Sequence, residues 1–119
     1  MLDIDMEFKH GIPIVRLKGI LNGDTVALFK QDLNTVIENN GIKYVLINLK
    51  KLSYIDNYGF EAIKSSYKKI VENKGKLIIC GMNKLFDNNQ VITDNLYQVN
   101  EEVTAYEMIN IWKIKQVFY

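Results

Sequence analysis

The stretch YVLINLKKLSYIDNYGFEAI, residues 44–63, decides the fold. It opens on a nearly continuous apolar run, Tyr44-Val45-Leu46-Ile47-Asn48-Leu49, which suits a β-strand covered on both faces. It closes on a helical pattern. From Tyr58 onward, Phe60, Ile63, Tyr67, Ile70 and Val71 recur on one side of a helix. Lys50 to Ile55 leads from one pattern to the other, and Asp56 to Gly59 turns the chain. A buried strand followed by an amphipathic helix is the repeating step of a mostly parallel sheet with right-handed crossovers.

Working outward, the same step appears on both sides. Upstream, Val26, Phe29, Leu33, Val36 and Ile37 predict a helix. Asn22 or Asp24 is placed to cap it, and Asn39-Asn40-Gly41 to end it. Before it, Leu2, Ile4, Met6 and Phe8 alternate with charged residues, the period of a strand with one buried face. His10-Gly11 reads as a turn into a second strand, Ile12 to Lys18, where Pro13 suits an edge or the start of the strand. Gly19 to Asp24 then breaks the pattern. Downstream, Asn73-Lys74-Gly75 closes the second helix and Leu77 to Cys80 is a short buried strand. Residues 83–95 are polar and turn-rich, with Leu85-Phe86 a single helical turn. Leu96 to Val99 reads as a last strand, and Ala105, Met108, Ile109 and Trp112 mark a final helix. The apolar end, Val117-Phe118-Tyr119, packs back or frays. The expected fold is α/β, with residues 1–119 forming a single domain. Its sheet is mixed and four- to five-stranded, with an N-terminal antiparallel hairpin and about three helices mainly on one face.

Bulk properties narrow the function. A chain of 119 residues, 48% apolar and 24% charged, buries a core without disulfides or metals. Fifteen basic and fourteen acidic residues leave a net charge of +1, no electrostatic basis for direct nucleic-acid binding. The single cysteine, Cys80, sits in an apolar strand and reads as a buried structural thiol. The alternating N-terminus is unlike a signal peptide, and no apolar run reaches the length of a membrane span. The expectation is a soluble cytoplasmic protein with no membrane insertion.

The order and spacing of three motifs resemble the STAS domains, specifically the stand-alone bacterial anti-sigma factor antagonists. Leu17-Lys18-Gly19-Ile20-Leu21-Asn22 is similar to the family's Gly-x-Leu-Asp approach to its first helix. Val45 to Leu49 followed by Ile55-Asp56-Asn57-Tyr58-Gly59 is similar to its apolar strand and Asp-Ser-Ser-Gly loop. Leu77-Ile78-Ile79-Cys80-Gly81, a polar segment and a closing helix complete the match. The resemblance implies a non-enzymatic module without cofactors. Its partner would be an anti-sigma factor of the serine-kinase type, or another signalling protein, bound by partner switching. In the family that kinase phosphorylates the serine before the loop glycine and so ends the capture.

Here the position of that serine is Tyr58, and the serine before it is replaced by Asn57. A phenolic oxygen stands several ångströms beyond a serine hydroxyl, so a kinase site shaped for serine would misplace its phosphate donor. Tyr58 is therefore read as an interface anchor rather than the phosphoacceptor. Ser53 is the alternative acceptor, read here as lying upstream in the same loop. Asp56 is placed to cap the second helix, and Gly59 to allow close backbone approach. The candidate partner-binding set is Asn22, Asp24, Asp56, Asn57, Tyr58 and Gly59, continued by Phe60, Glu61 and Lys64. Two other readings stay open: a structural STAS subunit of a signalling or transporter complex that is never phosphorylated, and a sensor of a small ligand or nucleotide.

The remaining constellations have plain readings. Lys64, Lys68, Lys69 and Lys74 form a solvated face or a docking surface for an acidic partner, with Lys50 and Lys51 near the start of that helix. His10, the only histidine, has no acidic partner at triad-like spacing. Asp3, Asp5 and Glu7 share a strand face that reads as solvent-facing rather than metal-binding. Tyr106 and Trp112 are helix packing residues, or part of an aromatic patch for a homodimer or a partner.

Overall fold

Alternation and turn chemistry build the N-terminal hairpin. The computed structural model describes residues 1–38, 42–82 and 96–118. Strands β1 (Leu2–Lys9) and β2 (Ile12–Leu21) pair antiparallel around His10-Gly11. Both turn residues have positive φ, 52° and 81°, as a two-residue hairpin turn demands. Pro13 precedes the first β2–β3 pair, Ile14 with Leu46, so its missing N–H removes no bond to that neighbour.

The rest of the sheet is parallel. Helix α1 (Val26–Ile37) leads to β3 (Tyr44–Ile55), and α2 (Asn57–Glu72) leads to β4 (Lys76–Cys80). Strand β5 (Leu96–Val99) and helix α3 (Glu102–Phe118) follow. The strands lie in the order β1-β2-β3-β4-β5. β2 and β3 are longer than the sequence reading, because Gly19–Leu21 and Lys50–Ile55 extend the pairing to Leu21 with Ile55. Two register shifts accompany that extension.

Two apolar layers flank the sheet. On one face, Val15, Leu17, Val45, Ile47, Leu77 and Ile79 pack with Phe29, Leu33 and Ile37 of α1 and with Ala62, Ile63 and Ile70 of α2. The buried side of α2 is rotated from the expected stripe: Gly59, Ala62 and Ser66 are buried, and Phe60 and Val71 are only half-buried. On the other, Ile12, Ile14, Leu46 and Ile78 pack with Ala105 and Ile109 of α3. The helices were expected mainly on one face. That holds for α1 and α2, and α3 lies on the opposite one. The reason is topological. Helices α1 and α2 are crossovers between parallel neighbours stepping in one direction, so the handedness rule assigns them a common face. Helix α3 follows the last strand, is bound by no crossover, and covers apolar residues that would otherwise face water.

Smaller differences have local causes. Burial along β1 falls from Leu2 to half-buried Ile4 and Met6 and exposed Phe8, since β1 is an edge strand. At the end of α2, Lys74 and not glycine adopts the left-handed conformation, with φ 63°. Gly75 N–H donates to Ile70 O and Lys74 N–H to Val71 O, the paired bonds of a Schellman cap. Residues 39–41 and 83–95, including the Leu85-Phe86 turn, and Tyr119 lie outside the described residues. Backbone 117–118 continues α3.

Candidate functional site

The C-terminal ends of β2 and β3 lie side by side, and the chain leaves each into a helix N-terminus. After β2, Asn22 Oδ1 accepts from Asp24 N–H at 2.9 Å and Thr25 N–H at 3.2 Å. Thr25 Oγ1 donates to Ile20 O at 2.8 Å and accepts from Asn22 N–H at 2.9 Å. Thr25, rather than Asn22 or Asp24, is the residue at the N-cap of α1, and its side chain makes no capping bond to the helix. Asn22 instead closes the turn one step earlier, and Asp24 is exposed.

After β3, Asp56 takes extended backbone angles and caps α2 as expected. Its Oδ1 accepts from Gly59 N–H at 3.0 Å. Its Oδ2 accepts from Gly23 N–H at 3.2 Å, across 33 residues of sequence. One half-buried carboxylate therefore locks the two turns together. Asp56 N–H also donates to Leu21 O at 3.2 Å. Gly59 is buried where α2 meets that strand end. A Cβ there would lie 2.6 Å from Leu21 O and 2.9 Å from Ile55 Cγ1. The close approach expected of Gly59 is thus against β2 itself.

Tyr58 points outward, 69% exposed, with its ring against Gly23, 3.4 Å from where a Cβ of that glycine would sit. Asn57 is exposed beside it. One turn on, Lys64 Nζ lies 3.5 Å from Glu61 Oε1 and 5.5 Å from the Phe60 ring centroid. The structure therefore brings Asn22, Asp56, Tyr58 and Gly59 together at one end of the sheet and continues along α2 to Lys64. Ser53 belongs to β3 and not to a loop, and its Oγ donates to Gly19 O at 2.8 Å. Sequence reasoning missed Tyr54 and Leu28, about half exposed at the end of β3 and in the first turn of α1. Leu28 lies off the apolar stripe of α1, which was the signal available for it.

The other singled-out residues serve packing and ion pairs. Arg16 binds Glu102 at 2.8 Å, Glu7 at 2.9 Å and Asp5 at 3.0 Å. Hydrogen bonds from Arg16 hold the Glu102 carboxyl below the usual glutamate range, and Asn48 Nδ2 adds a bond at 3.0 Å. His10 Nδ1 lies 3.0 Å from the Tyr106 hydroxyl, which joins the hairpin tip to α3. Trp112 packs on Tyr44 and Tyr97, with Lys76 Nζ 4.8 Å over its ring. Burial pushes the Cys80 thiol up to about 11, the behaviour of a structural cysteine. Lys50 and Lys51 lie within β3, short of the start of α2, and Lys69 bonds Asn34 of α1. Among the described residues no three His, Cys, Asp or Glu side chains could hold a metal, and no helix is long and apolar enough to cross a membrane.

Known proteins share this fold. An anti-sigma F factor antagonist of Paenibacillus polymyxa is 30% identical over 82 residues, 69% of this chain and 70% of that one. A deoxyguanosinetriphosphate triphosphohydrolase-like protein of Rickettsia akari is 34% identical over 97 residues, but the match spans 23% of that protein's length. The solved anti-sigma factor antagonist SpoIIAA, in its unphosphorylated form, superposes with a TM-score of 0.74 over 91% of this chain and 98% of that one. At 17% identity that likeness is one of fold. The STAS domain model matches residues 3–87, from the first strand through α2 and β4, and the chain is a member of the STAS domain family.

Proposed function

We propose that the chain acts as an anti-sigma factor antagonist, a single regulatory domain that works by binding rather than catalysis. One observation carries the reading. The Asp56 carboxylate joins the turns before α1 and α2, and Tyr58 stands exposed on that joint. A rigid patch with an outward aromatic residue is what a protein partner can dock on at low entropic cost. The partner is an anti-sigma factor of the kinase type, held by Asn22, Asp24, Asn57, Tyr58, Glu61 and Lys64. Tyr58 serves as anchor and not as phosphoacceptor. The Oγ of Ser53 is already engaged with Gly19 O, which favours a structural role for that hydroxyl.

The test is recovery of the tagged protein from its source cells, with intact-mass and peptide mass spectrometry of bait and prey. Capture of a kinase-type anti-sigma factor by wild type, and its loss with Tyr58→Ala at unchanged fold, is the expected result. Capture that survives Tyr58→Ala and Asp56→Ala alike removes this surface from the reading. Absence of a serine at position 58 also favours a second reading, a constitutive subunit of a signalling complex. A complex that ATP does not dissolve, with no phosphorylated bait, selects that reading over a switch.

A further inference from the structure

The sheet face that carries α3 holds a recess of about 260 Å³ beside the helix N-terminus. A β-bulge builds one wall. Arg16 pairs with Asn48 and Lys18 with Lys51, so β3 carries one extra residue between those pairs. Leu49 and Leu52 both stay in the core under α1 and α2, while Lys50 and Lys51 both line the recess. The bulge is held in place. Asn48 Oδ1 accepts from Lys50 N–H at 2.8 Å, and Glu102 holds Asn48 from its other end. Gly81, at φ 72°, makes room, since a Cβ there would stand 2.7 Å from Lys50 N.

The charges on this wall are locally unfavourable. Lys18 stands between two direct cross-strand neighbours, Asp3 on β1 and Lys51 on β3, and the like-charged pair with Lys51 is the arrangement that destabilises a sheet. Among the described residues neither ammonium has an ion-pair partner, and Lys50 reaches Glu101 only at 3.8 Å. Arg16 is engaged by its three carboxylates and does not offer a free donor. On the β1 side, Asp5 is taken up by Arg16, while Asp3 forms no ion pair among the described residues.

We propose that this recess binds a phosphorylated small molecule. Its phosphate would sit between Lys18, Lys50 and Lys51, and a hydroxyl or amino donor would face Asp3. Three flexible point charges suit the separate oxygens of a phosphate. The volume exceeds that of the phosphate alone and leaves space for a compact organic body. The site lies on the opposite sheet face from the α1–α2 layer and does not depend on the proposed antagonist role.

The test is a two-dimensional amide NMR titration of the full chain with glucose 6-phosphate, pyrophosphate and, as a control, sulfate. Saturable shifts centred on Lys18, Asn48, Lys50 and Lys51, larger for the phosphate compounds than for sulfate, are expected. The double variant Lys18→Gln/Lys51→Gln should bind at least tenfold more weakly, and Lys30→Gln, on α1, should bind as wild type. Shifts scattered over all lysines, equal shifts with sulfate, or unchanged binding by the double variant would overturn the proposal. Should the double variant not fold, the position and saturation of the wild-type shifts decide the matter alone.

Discussion

Replacing Gly59 with alanine tests whether the α2 N-terminus is set by contact with β2. In an exposed helix this change is stabilising, by ~1 kcal/mol, because alanine loses less backbone entropy. Here the new Cβ would stand 2.6 Å from Leu21 O, 2.8 Å from Leu21 Cγ and 2.9 Å from Ile55 Cγ1. Two of those atoms belong to buried or half-buried side chains, and the third is backbone that also accepts from Asp56 N–H. Relief therefore means moving α2 off the strand ends. Overpacking of this kind costs ~1–3 kcal/mol, and weakening the Asp56–Leu21 bond adds ~1 kcal/mol. The balance is a net loss of about 2 kcal/mol, so the sign is opposite to helix propensity. Urea unfolding followed by far-ultraviolet circular dichroism reads it directly, as a midpoint lowered by roughly 1 M at unchanged slope. Gly23→Ala is the control. The nearest atom to its Cβ would be in the Tyr58 ring at 3.4 Å, an ordinary contact, and stability should stay within ~0.5 kcal/mol of wild type. A Gly59→Ala protein as stable as wild type, or more so, would refute the close-approach argument.

Further outcomes follow from the same contacts. Asp56→Ala removes the acceptor of Gly59 N–H and Gly23 N–H and should cost ~1–2 kcal/mol, whereas Asp56→Asn keeps a capping oxygen and should cost under ~1 kcal/mol; equal losses in chemical unfolding would contradict the capping role. Lys74→Gly relieves the left-handed backbone at φ 63° and should stabilise the chain by ~0.5–1 kcal/mol, read as a higher unfolding midpoint; a lower one would mean that the lysine side chain matters there. The Glu102 carboxyl titrates low because Arg16 binds its ionised form, so its contribution is complete above ~4.3, the ordinary glutamate value, and is lost as pH falls through the folded value. Wild type should thus exceed Glu102→Gln in stability at neutral pH and converge with it in acid; a gap independent of pH between 2 and 6, roughly the range to scan, would exclude the Arg16 ion pair as its source.

Sequence alone settled those features that depend on a residue and its near neighbours. The 3.6-residue stripe from Val26 to Ile37 specifies which side of α1 is buried, because that period is intrinsic to the backbone, whereas the buried side of α2 includes the small residues Gly59, Ala62 and Ser66 that its apolar stripe left out. The apolar run from Tyr44 to Leu49 announced a strand covered on both faces, and His10-Gly11 a tight hairpin. Asp56 as a helix cap was equally legible, since capping acts within three residues. The tertiary structure decided what depends on residues far apart in the chain. The second bond of Asp56 reaches Gly23 only because β2 and β3 end side by side. Lys50 and Lys51 share a face through a bulge that exists only in register with Arg16 and Lys18. The side chosen by α3 follows from which sheet face its predecessors left bare. An amphipathic helix states that it needs an apolar partner surface, and only the assembled sheet determines where that surface is.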